Sequence, residues 1–592
     1  MRRRWILLSV LIGVVSGVGA ILFDLLFHLA QSAFLGEIGR FSPPGAPLEG
    51  GESYGPENVW LLPVSLTVGG LISGLLVYIF APEAEGHGTD SVIKSFHHGL
   101  GRMRKRVAPI KAISSAITIG SGGSAGREGP IAQIGASFGS YLGKLFKLTH
   151  HDRRILMMAG MAGGIGSIFR APLGAAFFSA EVLYSKSEFE YEVLLPGLLS
   201  AITGYSIYST YAGWGFLFDV PDISFHEPRH LPAYAALGVV CALIGAFFPK
   251  FFYFVRDHIF KPMPGPAWIK PAIGALALGL IAVAFPQALG MGYGYVQQAI
   301  EGSLTIQFLL VFAAIKIVAT SLTISSGGSG GVFGPSLVIG AALGAAFGQG
   351  VAELLPAWAP EPAACVMVGM GGFFAGVAKT PFAAVIMVME MTGSYGLLVP
   401  SLLVAAIAYL CLPLAVRLYE NQVPARPDSP AHMGSFAVDI LRNLRVRDCL
   451  EESESHGRTI SVDTPLDQLI NLAATSKQTV FPVVAEDDSL LGELSLDDIR
   501  RVLLKPGAER PQTAGDLMRP AIGPLTPEDS LTVAARLLAG RQNDSVIVVD
   551  NLENRHVVAM LSRRELIFSY GREMARLKET DRRVGADENE QL

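Results

Sequence analysis

The chain has 592 residues, 50% of them hydrophobic and only 16% charged, with a net charge of −5. A soluble protein carries about a quarter charged residues, so this balance points to a membrane and excludes a strongly basic nucleic-acid binder. The four cysteines, Cys241, Cys365, Cys411 and Cys449, have neither disulfide nor metal-ligand spacing.

The opening Met-Arg-Arg-Arg-Trp leads into an apolar run that continues to about Ala30. That is longer than the apolar core of a signal peptide, about 7–15 residues, and fits a first membrane helix with a cytoplasmic basic start. Further spanning helices are expected at 59–80, 193–211, 233–254, 269–288, 306–322 and 400–418, with the first at 5–27. Between them lie shorter, glycine-rich apolar helices at 108–118, 131–145, 155–168, 172–183, 335–351, 364–377 and 381–391. Helices that stop part-way are tolerated only where their ends are buried in protein or line an aqueous cavity, which is the pattern of a transporter or channel. The basic stretch 97–106 reads as a cytoplasmic loop.

Two internal repeats run through this part. Gly-Ser-Gly-Gly-Ser-Ala-Gly-Arg-Glu-Gly-Pro at 120–130 recurs as Ser-Ser-Gly-Gly-Ser-Gly-Gly-Val-Phe-Gly-Pro at 325–335, an offset of 205. Met161, Pro172 and Glu181 recur as Met370, Pro381 and Glu390 at an offset of 209. The membrane part is therefore two homologous halves, 1–215 and 216–420, expected to be inverted although local identity alone does not give their orientation. Close helix packing accounts for Gly135, Gly139, Gly340 and Gly344. It does not account for a glycine cluster ending at a proline twice, since such helix starts expose unpaired N–H groups and together make a site for an anion.

A polar linker, 421–440, carries Pro424, Pro427 and Pro430. Two repeated units follow, 441–505 and 506–575, each reading as loop, helix, strand, strand, helix, so an α+β pair is expected. Residues 576–592 read as a disordered tail.

Gly126-Arg-Glu-Gly-Pro130, Gly331-Val-Phe-Gly-Pro335 and Gly86-His-Gly-Thr-Asp90 resemble the three pore motifs of the CLC chloride channel and transporter family, and Arg417-Leu-Tyr419 resembles its pore-tyrosine segment. The C-terminal units resemble the CBS modules that many members carry, so the likeness covers nearly the whole chain, as a bacterial member. It implies an all-α polytopic membrane protein followed by a cytoplasmic α+β CBS pair, a homodimer in the inner (plasma) membrane with its N-terminus in the cytoplasm, and transport of chloride or a similar monovalent anion. Membrane lipid is its other expected partner; it is not expected to be an enzyme, to bind nucleic acid or to hold a metal.

By position, Gly126, Arg127, Gly129, Val332 and Phe333 would surround the anion with backbone N–H groups, Tyr419 would add a phenolic O–H and His87 an imidazole N–H. Moving a chloride-sized ion into a low-dielectric interior costs on the order of 20 kcal/mol by an idealised Born estimate. Each helix start offers roughly half a positive charge against that cost, without a lysine or arginine that would hold the ion too tightly. Arg127 reads as electrostatic support rather than a side-chain ligand. Glu128 is the gate: a carboxylate in an anion site mimics the ion and blocks it, and once protonated it swings away.

Two positions depart from the family pattern. His87 stands where many relatives have serine, which bears on anion preference. Val182 stands where proton-coupled members carry an internal glutamate; Glu181, one residue earlier, remains a candidate for the proton path, but its repeat partner Glu390 argues for a shared structural role. On this ground passive conduction is favoured over proton antiport. In the CBS pair, Ser495-x-x-Asp498 resembles the stretch that binds the ribose and phosphate of an adenine nucleotide; the second copy, Ser562-x-x-Glu565, keeps the serine but departs from that pattern in its longer acid, and a purely dimerising role is the equal alternative.

The glycine tracts match Gly-x-Ser-x-Gly, but a helix precedes them where a hydrolase needs a strand, and the phosphate-loop Lys-Ser is missing. His226-Glu-Pro-Arg-His230 spells a zinc-protease pattern that Pro228 keeps out of a helix. A cation carrier with CBS modules is the remaining rival, and the membrane part offers few acids to hold a cation.

Overall fold

A computed structural model of the chain describes residues 2–49, 53–432, 441–450, 457–476, 478–503, 512–539, 544–573 and 575–576. The chain forms two compact units, Met1–Ala431 and His432–Leu592. The expected tail from 577 onward and the linker residues 433–440 lie outside the described residues.

The first unit is helical, with eight α-helices in each half among the described residues. The first half holds α1 (Arg2–Gln31), α2 (Leu61–Phe80), α3 (Thr89–His97), α4 (Val107–Gly120), α5 (Glu128–Leu145), α6 (His150–Phe169), α7 (Pro172–Glu181) and α8 (Tyr191–Ala212). The second holds α9 (Leu231–Phe254), α10 (Lys270–Ala284), α11 (Tyr293–Ile300), α12 (Ile306–Ser325), α13 (Phe333–Leu354), α14 (Pro362–Ala378), α15 (Pro381–Thr392) and α16 (Leu398–Cys411). Fourteen of these were expected. The two additions, α3 and α11, are short and half polar, so neither makes an apolar run; they are the same element in the two halves. The expected helix at 400–418 ends at Cys411, and Leu418 N–H instead bonds the Val377 carbonyl at 2.8 Å, placing Tyr419 on an irregular segment.

The glycines read as packing residues take that role. A Cβ at Gly135 would run into the Gly160 carbonyl of α6, and one at Gly344 into the Cys365 carbonyl of α14. The two halves thus repeat the same close pair, α5 on α6 and α13 on α14.

Polar groups tie the halves together with two-fold reciprocity. Gly126 N–H donates to Gly331 O at 2.8 Å and Gly331 N–H to Gly126 O at 2.7 Å, an antiparallel bridge at the centre of the two tracts. Ser124 bonds Thr320 and Thr323 of α12, while its counterpart Ser329 bonds Ser114 and Ser115 of α4. A reciprocal antiparallel bridge puts a local two-fold axis between α5 and α13, so their N-termini meet head to head and the halves run in opposite senses.

The second unit has a three-stranded sheet of β1 (Ile460–Ser461), β2 (Val480–Val484) and β3 (Leu490–Ser495), β1 parallel and β3 antiparallel to β2. A two-stranded antiparallel sheet follows, β4 (Ser545–Val549) and β5 (Val557–Ser562). The short helix Val446–Leu450, which precedes the first module, buries Val446 and Cys449 against Leu525, Leu531 and Val546 of the second. Ala514, preceding the second module, packs with Ile460, Phe481 and Leu494 of the first. The modules are interlocked by this exchange, so the boundaries 441–505 and 506–575 divide the sequence and not the packing.

Candidate functional site

The site is built from two helix starts. Arg127 caps α5 and Val332 caps α13, and the tracts before them are held by the Gly126–Gly331 bridge. Residues 126–130 and 331–335 are therefore together, with the first-turn N–H groups of both helices converging. Gly129 has no room for a side chain: a Cβ there would overlap the His87 carbonyl and stand 2.9 Å from Gly331 Cα.

Glu128 is buried and its carboxylate lies across these helix starts. Oε1 accepts a hydrogen bond from Tyr293 Oη, and Oε2 has no hydrogen-bond partner. A Cβ on Gly126 would collide with Oε2, and one on Gly334 would stand 3.0 Å from it. The carboxylate thus occupies a pocket that two missing side chains leave open, which is where an anion held by the α5 and α13 N–H groups would sit.

His87 and Tyr419 stand together further along. Their rings are 5.5 Å apart, and both His87 Nδ1 and Tyr419 Oη are buried without a partner. A buried polar atom left unpaired costs about 1–3 kcal/mol, so two on neighbouring rings mark a place for a ligand. Aromatic contacts link this place to the helix starts: Phe178 lies 6.4 Å from Tyr419 and 5.4 Å from Phe333. His87 opens on a cavity of about 250 Å³ lined also by Glu85, Asp90, Lys94, Arg256 and Asn421. On the Glu128 side, a cavity of about 320 Å³ reaches Tyr293 and one of about 300 Å³ reaches Arg127. Cavities thus border His87 itself and two neighbours of Glu128, Arg127 and Tyr293.

Arg127 points elsewhere. Its Nη1 donates to Asp24 Oδ1 of α1 at 2.5 Å and its guanidinium lies over the Phe27 ring, so the side chain is engaged with α1. Glu181 caps the other half, its carboxylate accepting from Phe382 N at 3.3 Å and Ala383 N at 2.8 Å at the start of α15. Glu390 does the same for Leu173 N and Gly174 N at the start of α7. This is the structural role that the repeat implies. Val182 beside it is apolar and buried.

Three residues escaped the sequence reading. Tyr293 is the hydrogen-bond partner of Glu128. Lys111 and Lys316, 205 apart, are both fully buried, and each clamps a turn: Lys111 Nζ bonds Ala84 O at 3.0 Å and Gly86 O at 2.6 Å, and Lys316 Nζ bonds Ala288 O at 3.3 Å and Gly290 O at 2.7 Å. The available signal was the recurrence of Gly86-His-Gly88 as Gly290-Met-Gly292, with both second glycines at positive φ (81° and 92°).

In the CBS pair, Ser495 N–H and Oγ–H both donate to Asp498 Oδ2, and the other carboxylate oxygen pairs with Arg519. Ser562 and Glu565 repeat the arrangement. These are capping boxes, in which each acid is held by the serine of its own module. Asp498→Ala is expected to destabilise this module by about 1 kcal/mol, read as faster hydrogen exchange over 490–503, with or without added nucleotide. A nucleotide-dependent protection in the wild type that the variant loses would restore the ribose role.

Comparison with known proteins gives consistent matches. The family described as voltage gated chloride channel matches residues 69–412, and the CBS domain matches 456–505 and 514–571. The chain is 28% identical over 561 residues to the chloride channel protein CLC-e of Arabidopsis thaliana, covering 85% of this chain and 77% of that protein. It is 31% identical over 334 residues to the H(+)/Cl(−) exchange transporter ClcA of Yersinia pestis, covering 55% and 69%. The crystal structure of a slow cyanobacterial Cl−/H+ antiporter shares the fold with a TM-score of 0.61 at 22% identity, covering 69% of this chain and 94% of that one.

Proposed function

The chain belongs to the voltage gated chloride channel family, and from that membership we propose that it exchanges chloride or a similar monovalent anion for protons, with Glu128 as the gate. The observation that carries this reading is the Glu128 carboxylate seated at the joined starts of α5 and α13, where it does what a bound anion would do. Charged, it fills the site. Protonated, it loses its attraction to the N–H groups and leaves, so each cycle couples a proton to an anion. The path then runs from Glu128 past Val332 and Phe333 to Tyr419 and His87.

Val182 favours a second reading, passive conduction, which the sequence alone prefers. Among the relatives CLC-e is named a channel protein, while ClcA is described as an exchange transporter and the cyanobacterial protein as an antiporter. Assembly as a homodimer in the inner membrane, with the N-terminus and the CBS pair cytoplasmic, belongs to the same proposal. So does a scaffolding role for the CBS pair without nucleotide.

Purified protein in liposomes under an outward anion gradient, with external pH recorded, tests it. Uphill proton movement that stops when the anion gradient is removed is expected. Fast anion flux with no proton movement would return the passive reading, and flux that follows the cation instead would remove both.

A further inference from the structure

Tyr293 begins α11 directly after Gly292, whose positive φ of 92° only glycine adopts without strain. Lys316 fixes this turn by holding the Ala288 and Gly290 carbonyls, as Lys111 fixes the equivalent turn in the first half. The first-half turn delivers His87 to Tyr419 at one end of the path. The second-half turn delivers Tyr293 to Glu128 at the other. Two-fold repetition has thus placed a clamped glycine turn at each end, one standing beside Tyr419 and the other leading into Tyr293.

The hydroxyl is aimed with little freedom. The Tyr293 ring is buried and stands edge-on to Phe218 at 5.7 Å. A Cβ on Gly334 would lie 2.9 Å from Tyr293 Oη, so the hydroxyl touches the same first turn of α13 that the Glu128 carboxylate does. A cavity lined by Gln31, Tyr54 and Met291 also borders Tyr293. A tyrosine kept only for its ring would not need its oxygen at the one buried carboxylate on the path.

We propose that Tyr293 is a positioning residue for the gate: its O–H latches the charged Glu128 carboxylate, and once that carboxylate leaves, the same O–H donates to the anion that takes its place. This rests on Glu128 being the gate. The other charged and titratable groups facing Glu128 are Arg127, which Asp24 already pairs, and Tyr419 further along the path. Losing a hydrogen bond to a charged group weakens the carboxylate's hold relative to the neutral acid, so the gate opens at less acidic pH.

The test uses the full-length protein in liposomes, with chloride as the probe. Tyr293→Phe keeps the ring and its contact with Phe218, and is expected to shift the pH profile of flux toward alkaline pH. In the Glu128→Ala background, adding Tyr293→Phe is expected to raise the half-saturating chloride concentration roughly tenfold to a hundredfold, the worth of one hydrogen bond to a charged group, with the profile staying flat. A Tyr293→Phe profile that superposes on the wild type overturns the latch. An unchanged half-saturation in the double variant overturns the anion contact. If Glu128→Ala alone keeps the wild-type pH dependence, the gate assignment itself fails and takes the latch with it.

Discussion

Glu128→Ala is expected to retain anion flux while losing its pH dependence and all uphill proton movement. The variant removes the competitor that the anion site holds most firmly. Hydrogen bonds to a charged group contribute about 1.5–3 kcal/mol each, so the Tyr293 contact alone holds the charged carboxylate in the site, against its swung-out position, by roughly tenfold to a hundredfold. Flux near neutral pH should rise by about that factor, to the level the wild type reaches in acid. Nothing structural opposes the change: Glu128 sits at the start of α5, its side chain in a gap left by Gly126 and Gly334, and the backbone bridge to Gly331 remains. Flux assays across the acid-to-neutral range, on protein that elutes as a single folded species, decide it. Abolished flux in that species would mean that Glu128 builds the path instead of closing it.

The parts of this architecture set by backbone chemistry were legible in the sequence. A glycine cluster ending at a proline states a helix start with free N–H groups, and its recurrence at one offset states that two starts belong together. That was enough to place Glu128, Val332 and Phe333, and the bridge between Gly126 and Gly331 is the physical form of the repeat. The resemblance added His87 and Tyr419, which no local pattern would join, since 332 residues separate them. What stayed hidden was hidden for identifiable reasons. Tyr293 opens a segment containing Tyr295, Val296 and Ile300, and so reads as core aromatic. Lys111 and Lys316 interrupt apolar helices, where a single lysine reads as a chain reaching for the interface; only the carbonyls at 84, 86, 288 and 290 reveal them as clamps. The repeated Gly-x-Gly turn was visible in one half only, because Met291 replaces the histidine that drew notice to the other. The exchange of lead-in helices between the CBS modules left no sequence mark, because swapping partners of the same element order leaves each apolar pattern unchanged.

Glu181→Ala is expected to destabilise the membrane unit by about 3 kcal/mol, while Glu181→Gln costs about 1 kcal/mol and leaves proton coupling intact. The carboxylate accepts two N–H groups at the start of α15, and at membrane depth no water replaces it. Glutamine keeps one acceptor oxygen in the same place, losing the charge but not the cap. Glu390→Ala should mirror the effect at α7, since its carboxylate takes Leu173 N and Gly174 N in the same way. The two caps bridge opposite halves, so the double alanine variant should fall apart at the α7–α15 contact more readily than either single one, read as a lower midpoint of thermal unfolding in detergent. The glutamine variant separates the two roles that the sequence left open for Glu181. A side chain that only caps can lose its proton-carrying chemistry without consequence, so uphill proton movement persists. Should proton movement stop in a Glu181→Gln protein of near wild-type stability, Glu181 would be a station on the proton path, supplying from one position earlier what Val182 does not.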